Sequence, residues 1–140
     1  MSLNGPIILV EDDPDDQDVV NEILQTLNFP NELVIFQNGK EAETYLRTTS
    51  QQPFLILCDI NMPVMNGLEL RTIIENDPAL RQKSIPFVFL TTTRNPSTVN
   101  RAYDLTVQGF FQKKNSLGEL THDLKMIIEY WRCCLHPNNS

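Results

Sequence analysis

Apolar residues collect in five short runs: Ile7-Ile8-Leu9-Val10, Leu33-Val34-Ile35-Phe36, Phe54-Leu55-Ile56-Leu57-Cys58, Phe87-Val88-Phe89-Leu90 and Gly109-Phe110-Phe111. Most are continuous instead of alternating. A strand with one wet face alternates apolar and polar residues, so unbroken runs predict strands covered on both faces, as in parallel sheets. Between the runs the apolar spacing becomes helical. Val19, Val20, Ile23, Leu24 and Leu27 predict a first helix, Ala42, Tyr45 and Leu46 a second, and Leu70, Ile73 and Ile74 a third. Val99, Ala102 and Tyr103 mark a fourth, and Leu120, Leu124, Ile127, Ile128 and Trp131 a fifth. Asp13-Pro14 and Asn95-Pro96 each place a capping side chain before a proline suited to the first helical turn.

Strand and helix alternating five times predict an α/β fold: a doubly wound, five-stranded parallel sheet, helices on both faces, right-handed crossovers. The chain has 140 residues and no linker or shift of composition, so one domain is expected. A chain of this size buries about 68–70% of its unfolded surface and needs no disulfides. We read residues 1–5 as a leader, with Met1-Ser2-Leu3 as an expression remnant. Residues 6–131 are the domain and 132–140 a C-terminal tail, frayed at Pro137-Asn138-Asn139-Ser140.

Charge narrows the function. The net charge is −7 and the pI about 4.7, without the basic footprint of a nucleic-acid module. Residues 1–39 hold eight acidic side chains and no Lys or Arg, and six of the eight fall within 11–18. Such crowding is either a solubilising surface or a cation site. No apolar run approaches the roughly 18–20 residues of a membrane span, and Met1–Pro6 has no secretory pattern. Cys58, Cys133 and Cys134 form no C-x-x-C motif, so a reducing, cytoplasmic setting is expected.

In a doubly wound sheet, ligands bind beyond the carboxyl ends of the strands. The first run is followed by Glu11, Asp12 and Asp13, the third by Asp59, the fourth by Thr91, Thr92 and Thr93, and the fifth by Lys113 and Lys114. Asp59 ends a wholly apolar strand, where an isolated carboxylate is costly. The acids at 11–12 add repulsion, and a hard divalent cation resolves both problems. Mg2+ takes oxygen ligands, uses one or two carboxylates, and keeps positions open for a phosphoryl oxygen. With Lys113 as a second positive charge and Thr91 as a hydroxyl donor, the parts needed for phosphoryl transfer are present.

These residues resemble the receiver domain of bacterial two-component response regulators across roughly Pro6 to Trp131. The motifs are Ile8-Leu9-Val10-Glu11-Asp12-Asp13, Asp59-Ile60-Asn61-Met62-Pro63-Val64-Met65-Asn66-Gly67, Leu90-Thr91-Thr92 and Gly109-Phe110-Phe111-Gln112-Lys113. The resemblance implies a flavodoxin-like (βα)5 fold with strand order 2-1-3-4-5. It implies that Asp59 accepts the phosphoryl group and that Asp12 and Asp59 bind Mg2+ directly, with Glu11 acting through water. The backbone carbonyl of Asn61 would complete the metal site. Thr91 and Lys113 would contact the phosphoryl group, Thr91 and Phe110 would form the switch, and Asp13 remains a helix cap. Three positions depart from the family pattern. Lys114 replaces the usual proline, Thr92 replaces a small residue, and Phe110 replaces a frequent tyrosine. A non-proline cis bond costs about 3–4 kcal/mol, so the 113–114 peptide is expected to be trans.

The function so implied is a phosphorelay receiver. A histidine kinase or histidine phosphotransfer protein donates the phosphoryl group. A downstream protein then binds the face of the fourth helix, fifth strand and fifth helix. Homodimerisation is left open. No DNA-binding domain, membrane partner or separate substrate turnover is expected. A pseudo-receiver that binds partners without phosphorylation is the alternative. A haloacid-dehalogenase-type phosphatase needs a second Asp at position 61, where this chain has Asn, and a dinucleotide-binding domain needs a G-x-G-x-x-G that is missing after the first strand.

Overall fold

The computed structural model describes residues 2–93 and 95–134. Five strands form one parallel sheet: β1 (Ile7–Val10), β2 (Leu33–Phe36), β3 (Leu55–Cys58), β4 (Phe87–Thr91) and β5 (Gly109–Gln112). Their spatial order is β2-β1-β3-β4-β5, as expected. The register pairs Val10 with both Phe36 and Cys58, and Thr91 with Gln112, so the strands end together along one edge.

The unbroken apolar runs are explained by the two faces of the sheet. Ile8, Val10, Ile56, Cys58, Phe87 and Phe89 point to one side and pack on α2 (Gly39–Thr48), α3 (Gly67–Asn76) and α5 (Pro96–Asp104). Ile7, Leu9, Leu55, Leu57, Val88 and Leu90 point to the other and pack on α1 (Pro14–Leu27) and α6 (Leu117–Cys133). Successive side chains of a strand face opposite ways, so a sheet covered twice needs apolar residues at every position.

The proline-led caps form as expected. The Asp13 side chain accepts from Asp15 N–H and the Asn95 side chain from Ser97 N–H. A short helix, α4 (Pro78–Arg81), intervenes between α3 and β4, with Asp77 as its cap. At four residues it is too short to show a period. The fourth and fifth helices of the sequence pattern are therefore α5 and α6. Thr91 also differs from expectation. It is the last residue of β4, not the first after it, because Lys113 N–H donates to its carbonyl at 2.8 Å and prolongs the ladder.

Near the N-terminus, Ser2–Asn4 form a 3₁₀ turn, and Asn31 Nδ2 donates to the carbonyls of Leu3 and Gly5 at 3.0 and 2.7 Å. Met1 and the tail at 137–140 lie outside the described residues. No described helix is long and apolar enough to cross a membrane.

Candidate functional site

Each chemistry-bearing residue is placed by a backbone bond that continues the sheet past its strand. Glu11 N–H donates to Phe36 O at 2.9 Å, Asp59 N–H to Val10 O at 2.9 Å, and Lys113 N–H to Thr91 O at 2.8 Å. The carboxyl ends of β1, β3, β4 and β5 thus bring Glu11, Asp59, Thr91 and Lys113 to one edge.

The loop beyond Asp59 returns tightly. Asp59 Oδ1 accepts from Ile60 N–H at 2.7 Å, and Gly67 N–H donates to Ile60 O at 2.9 Å. A Cβ on Gly67 would lie 2.2 Å from Asp59 O, a distance no real contact allows. The motif's glycine therefore lets the start of α3 press against the Asp59 backbone. Asn66 caps that helix in a reciprocal pair with Glu69, each side chain accepting from the other's backbone N–H.

Glu11, Asp12 and Asp59 form the one group, among the described residues, whose oxygens could share a metal ion; all lie within 4.8 Å of one another. Ligands about 2.0–2.1 Å from Mg2+ stand at most about 4.2 Å apart, so small side-chain adjustments suffice. The donor set is all oxygen and anionic, the chemistry a hard cation takes. Glu11 and Asp59 are buried and Asp12 is exposed, so the group opens to solvent on the Asp12 side.

The Lys113 ammonium lies among the acids. It donates to Glu11 Oε1 and, at 2.8 Å, to Asp16 Oδ2, and stands 3.5 Å from Asp59 Oδ2. Burial pushes the Glu11 carboxyl up to about 7, although the bond and charge of Lys113 pull it back; Asp59 adds to the rise. Burial alone would lower the Lys113 ammonium, but its bonds to Asp16 and Glu11 and the charges of Asp59 and Glu11 outweigh that and raise it. Lys113 is therefore a permanent cation. Burial raises the neighbouring Cys58 thiol, helped by the charges of Asp59 and Glu11.

The remaining expected residues fall around this centre. Thr91 is fully buried, and its Oγ1 accepts from Thr93 N–H at 3.4 Å. Asn61 is exposed, and its side-chain amide donates to Thr93 Oγ1 at 3.1 Å. Phe110 is half-buried against the core, its ring 5.9 Å from that of Phe89. The 113–114 peptide is trans, as expected. Two contacts escaped the sequence reading. Asp16 grips Lys113, and Lys114 pairs with Asp123 at 3.0 Å. Asp16 lies three residues past the Asp13 cap, on the same side of the first turn, which is the signal that could have singled it out.

Known proteins give the same picture. Residues 7–125 match the model of the response regulator receiver domain. The chain is 35% identical over 130 residues to response regulator Rcp1 of Synechocystis, covering 89% of this chain and 87% of that one. The crystal structure of the phosphorylated cyanobacterial phytochrome response regulator RcpA superposes with a TM-score of 0.86 at 34% identity, covering 95% of this chain and 98% of the other. The Mn(2+)-bound form of response regulator Rcp1 superposes with a TM-score of 0.83 at 34% identity, covering 94% and 97%.

Proposed function

The chain belongs to the response regulator receiver domain family, and from that premise we propose that Asp59 is its phospho-acceptor. Receiver domains are signalling proteins that bind divalent metal and interact with histidine kinases and downstream targets. Here the Asp59 carboxylate attacks the phosphorus of a phosphohistidine on a partner kinase or phosphotransfer protein. The P–O bond to Asp59 forms as the P–N bond breaks, and the imidazole leaves with a proton. Asp12, Asp59 and the Asn61 carbonyl would hold Mg2+ directly, with Glu11 acting through water. When bound, the ion offsets charge on the transferring oxygens. Lys113 supplies a fixed positive charge from the other side, and the Thr91 hydroxyl supplies a donor.

The observation that carries this reading is the meeting of Glu11, Asp12 and Asp59 with the Lys113 ammonium at one sheet edge. Relatives known phosphorylated and Mn(2+)-bound support it. The RcpA likeness supports a phytochrome-class histidine kinase as donor. Thr91 on β4 and Phe110 on β5 supply the groups that respond to the new charge. Exposed Tyr103 on α5 and Leu117, Met126 and Tyr130 on α6 supply apolar surface for a downstream protein. The setting is cytoplasmic.

The test is phosphorylation by acetyl phosphate with Mg2+, mapped by mass spectrometry. We expect label on Asp59 alone and none in Asp59→Asn. Full labelling of Asp59→Asn would sink the assignment. Absence of label in the native protein would favour a phosphorylation-independent binding module.

A further inference from the structure

The Lys113 ammonium is divided among carboxylates from three elements. Glu11 follows β1, Asp59 follows β3, and Asp16 lies in the first turn of α1. Asp16 Oδ2 is 2.8 Å from Lys113 Nζ, whereas Asp59 Oδ2 is at 3.5 Å. The ammonium is thus held more closely by Asp16 than by the residue beside which it is to act.

Neither helix capping nor the metal-binding group accounts for Asp16. The cap of α1 is Asp13. The carboxylates close enough to share an ion are Glu11, Asp12 and Asp59, without Asp16. Its neighbours Asp15 and Asp18 are exposed, while Asp16 turns inward to the lysine. An ammonium has three donors, and here Glu11 and Asp16 take two. The third is left for a phosphoryl group on Asp59, which carries more charge than a carboxylate, but the ammonium closes its 3.5 Å separation from Asp59 only against the pull of Asp16.

We propose that Asp16 is a positioning residue that sets how readily Asp59 takes up a phosphoryl group, by holding Lys113 toward α1 against the pull of the incoming charge. This rests on Asp59 being the phospho-acceptor. The contact is local and partly exposed, with the Asp16 side chain 40% accessible and that of Lys113 12%. Its effect is accordingly modest and tunable.

The test compares Asp16→Asn with Asp15→Asn, which removes the same charge from the same turn without touching Lys113. In metal-free protein, the NMR signal of the Lys113 Cε–Nζ group should shift in Asp16→Asn and stay in place in Asp15→Asn. With Mg2+, the beryllofluoride concentration for half-saturation should fall about three- to fivefold in Asp16→Asn, the scale of a partly exposed ion pair. It should change by a clearly smaller factor in Asp15→Asn and return toward the native value in Asp16→Glu. Equal effects of the two Asn variants, or no effect of Asp16→Asn, would overturn the role of Asp16 and leave the acceptor assignment standing. Native protein that binds no beryllofluoride would overturn the acceptor assignment and this inference with it. Should Asp16→Asn fold poorly, Asp16→Ser carries the same expectations.

Discussion

Lys114 Nζ lies 3.0 Å from Asp123 Oδ2, tying the loop after β5 to the inner side of α6. The preceding residue, Lys113, turns the other way into the carboxylates of the sheet edge. Two consecutive lysines are thus anchored on opposite sides of one trans peptide. Asp123 is 9% exposed, so removing this partner leaves a buried carboxylate without its ion pair. Lys114→Ala should cost about 1–2 kcal/mol, between the roughly 0–1 kcal/mol of an exposed pair and the roughly 3–5 of a buried one, because Lys114 is partly exposed. Lys114→Pro loses the same pair and should not stabilise the fold. Thermal unfolding reads both. A Lys114→Pro protein more stable than the native one would contradict the anchoring role.

Gly67 should tolerate no side chain. Its missing Cβ would meet Asp59 O at 2.2 Å and Phe89 Cε1 at 2.9 Å. Gly67→Ala should cost at least about 2 kcal/mol by overpacking, and should slow phosphorylation because the displaced atom belongs to the acceptor's own backbone. Denaturant unfolding and acetyl phosphate labelling check the two effects. Loss of stability with unchanged labelling would show that the loop does not position Asp59.

Glu11 should make metal binding pH-dependent. Its folded pKa of about 7 is above the ordinary 4.5 because of burial. A raised carboxyl means that the fold favours the protonated form. The stability this group contributes is full below pH 4.5 and is lost as pH rises through about 7. A divalent ion needs the ionised form, so binding releases a proton and strengthens over that range. The rise in Tm on adding Mg2+ should be larger at pH 8 than at pH 6, and Glu11→Gln should flatten the difference. Asp12→Asn should shrink the Mg2+ response at both pH values. An unchanged response would count against the site.

Thr92 should govern the lifetime of the phosphoryl group. It is exposed, directly after buried Thr91, and its side chain is branched at Cβ. Thr92→Ala should hydrolyse its aspartyl phosphate faster, by about twofold to tenfold on the scale of 0.4–1.4 kcal/mol for clearing access. Mg2+ affinity should stay the same. Decay followed after removal of the phosphodonor decides the point, and equal or slower loss would show that bulk at this position does not gate water.

What the chain determines by itself is whatever depends on neighbours in sequence. Unbroken runs such as Ile7-Ile8-Leu9-Val10 and Leu55-Ile56-Leu57-Cys58 imply a sheet covered on both faces, because adjacent residues point opposite ways. Asp13-Pro14 and Asn95-Pro96 imply their helix starts, because a cap acts within one turn. Parallel strands end on one edge, so Glu11, Asp12, Asp59, Thr91 and Lys113 could be gathered from their positions alone. The tertiary structure decided the contacts between residues far apart in sequence. Whether Lys113 rests on Asp16 or on Asp59 depends on where the first turn of α1 sits over the sheet edge, and whether Lys114 has a partner depends on how α6 packs. Ion pairs between distant elements leave no spacing signal. Their energies respond to differences in separation of about an ångström or less, and only the packed helices set those separations.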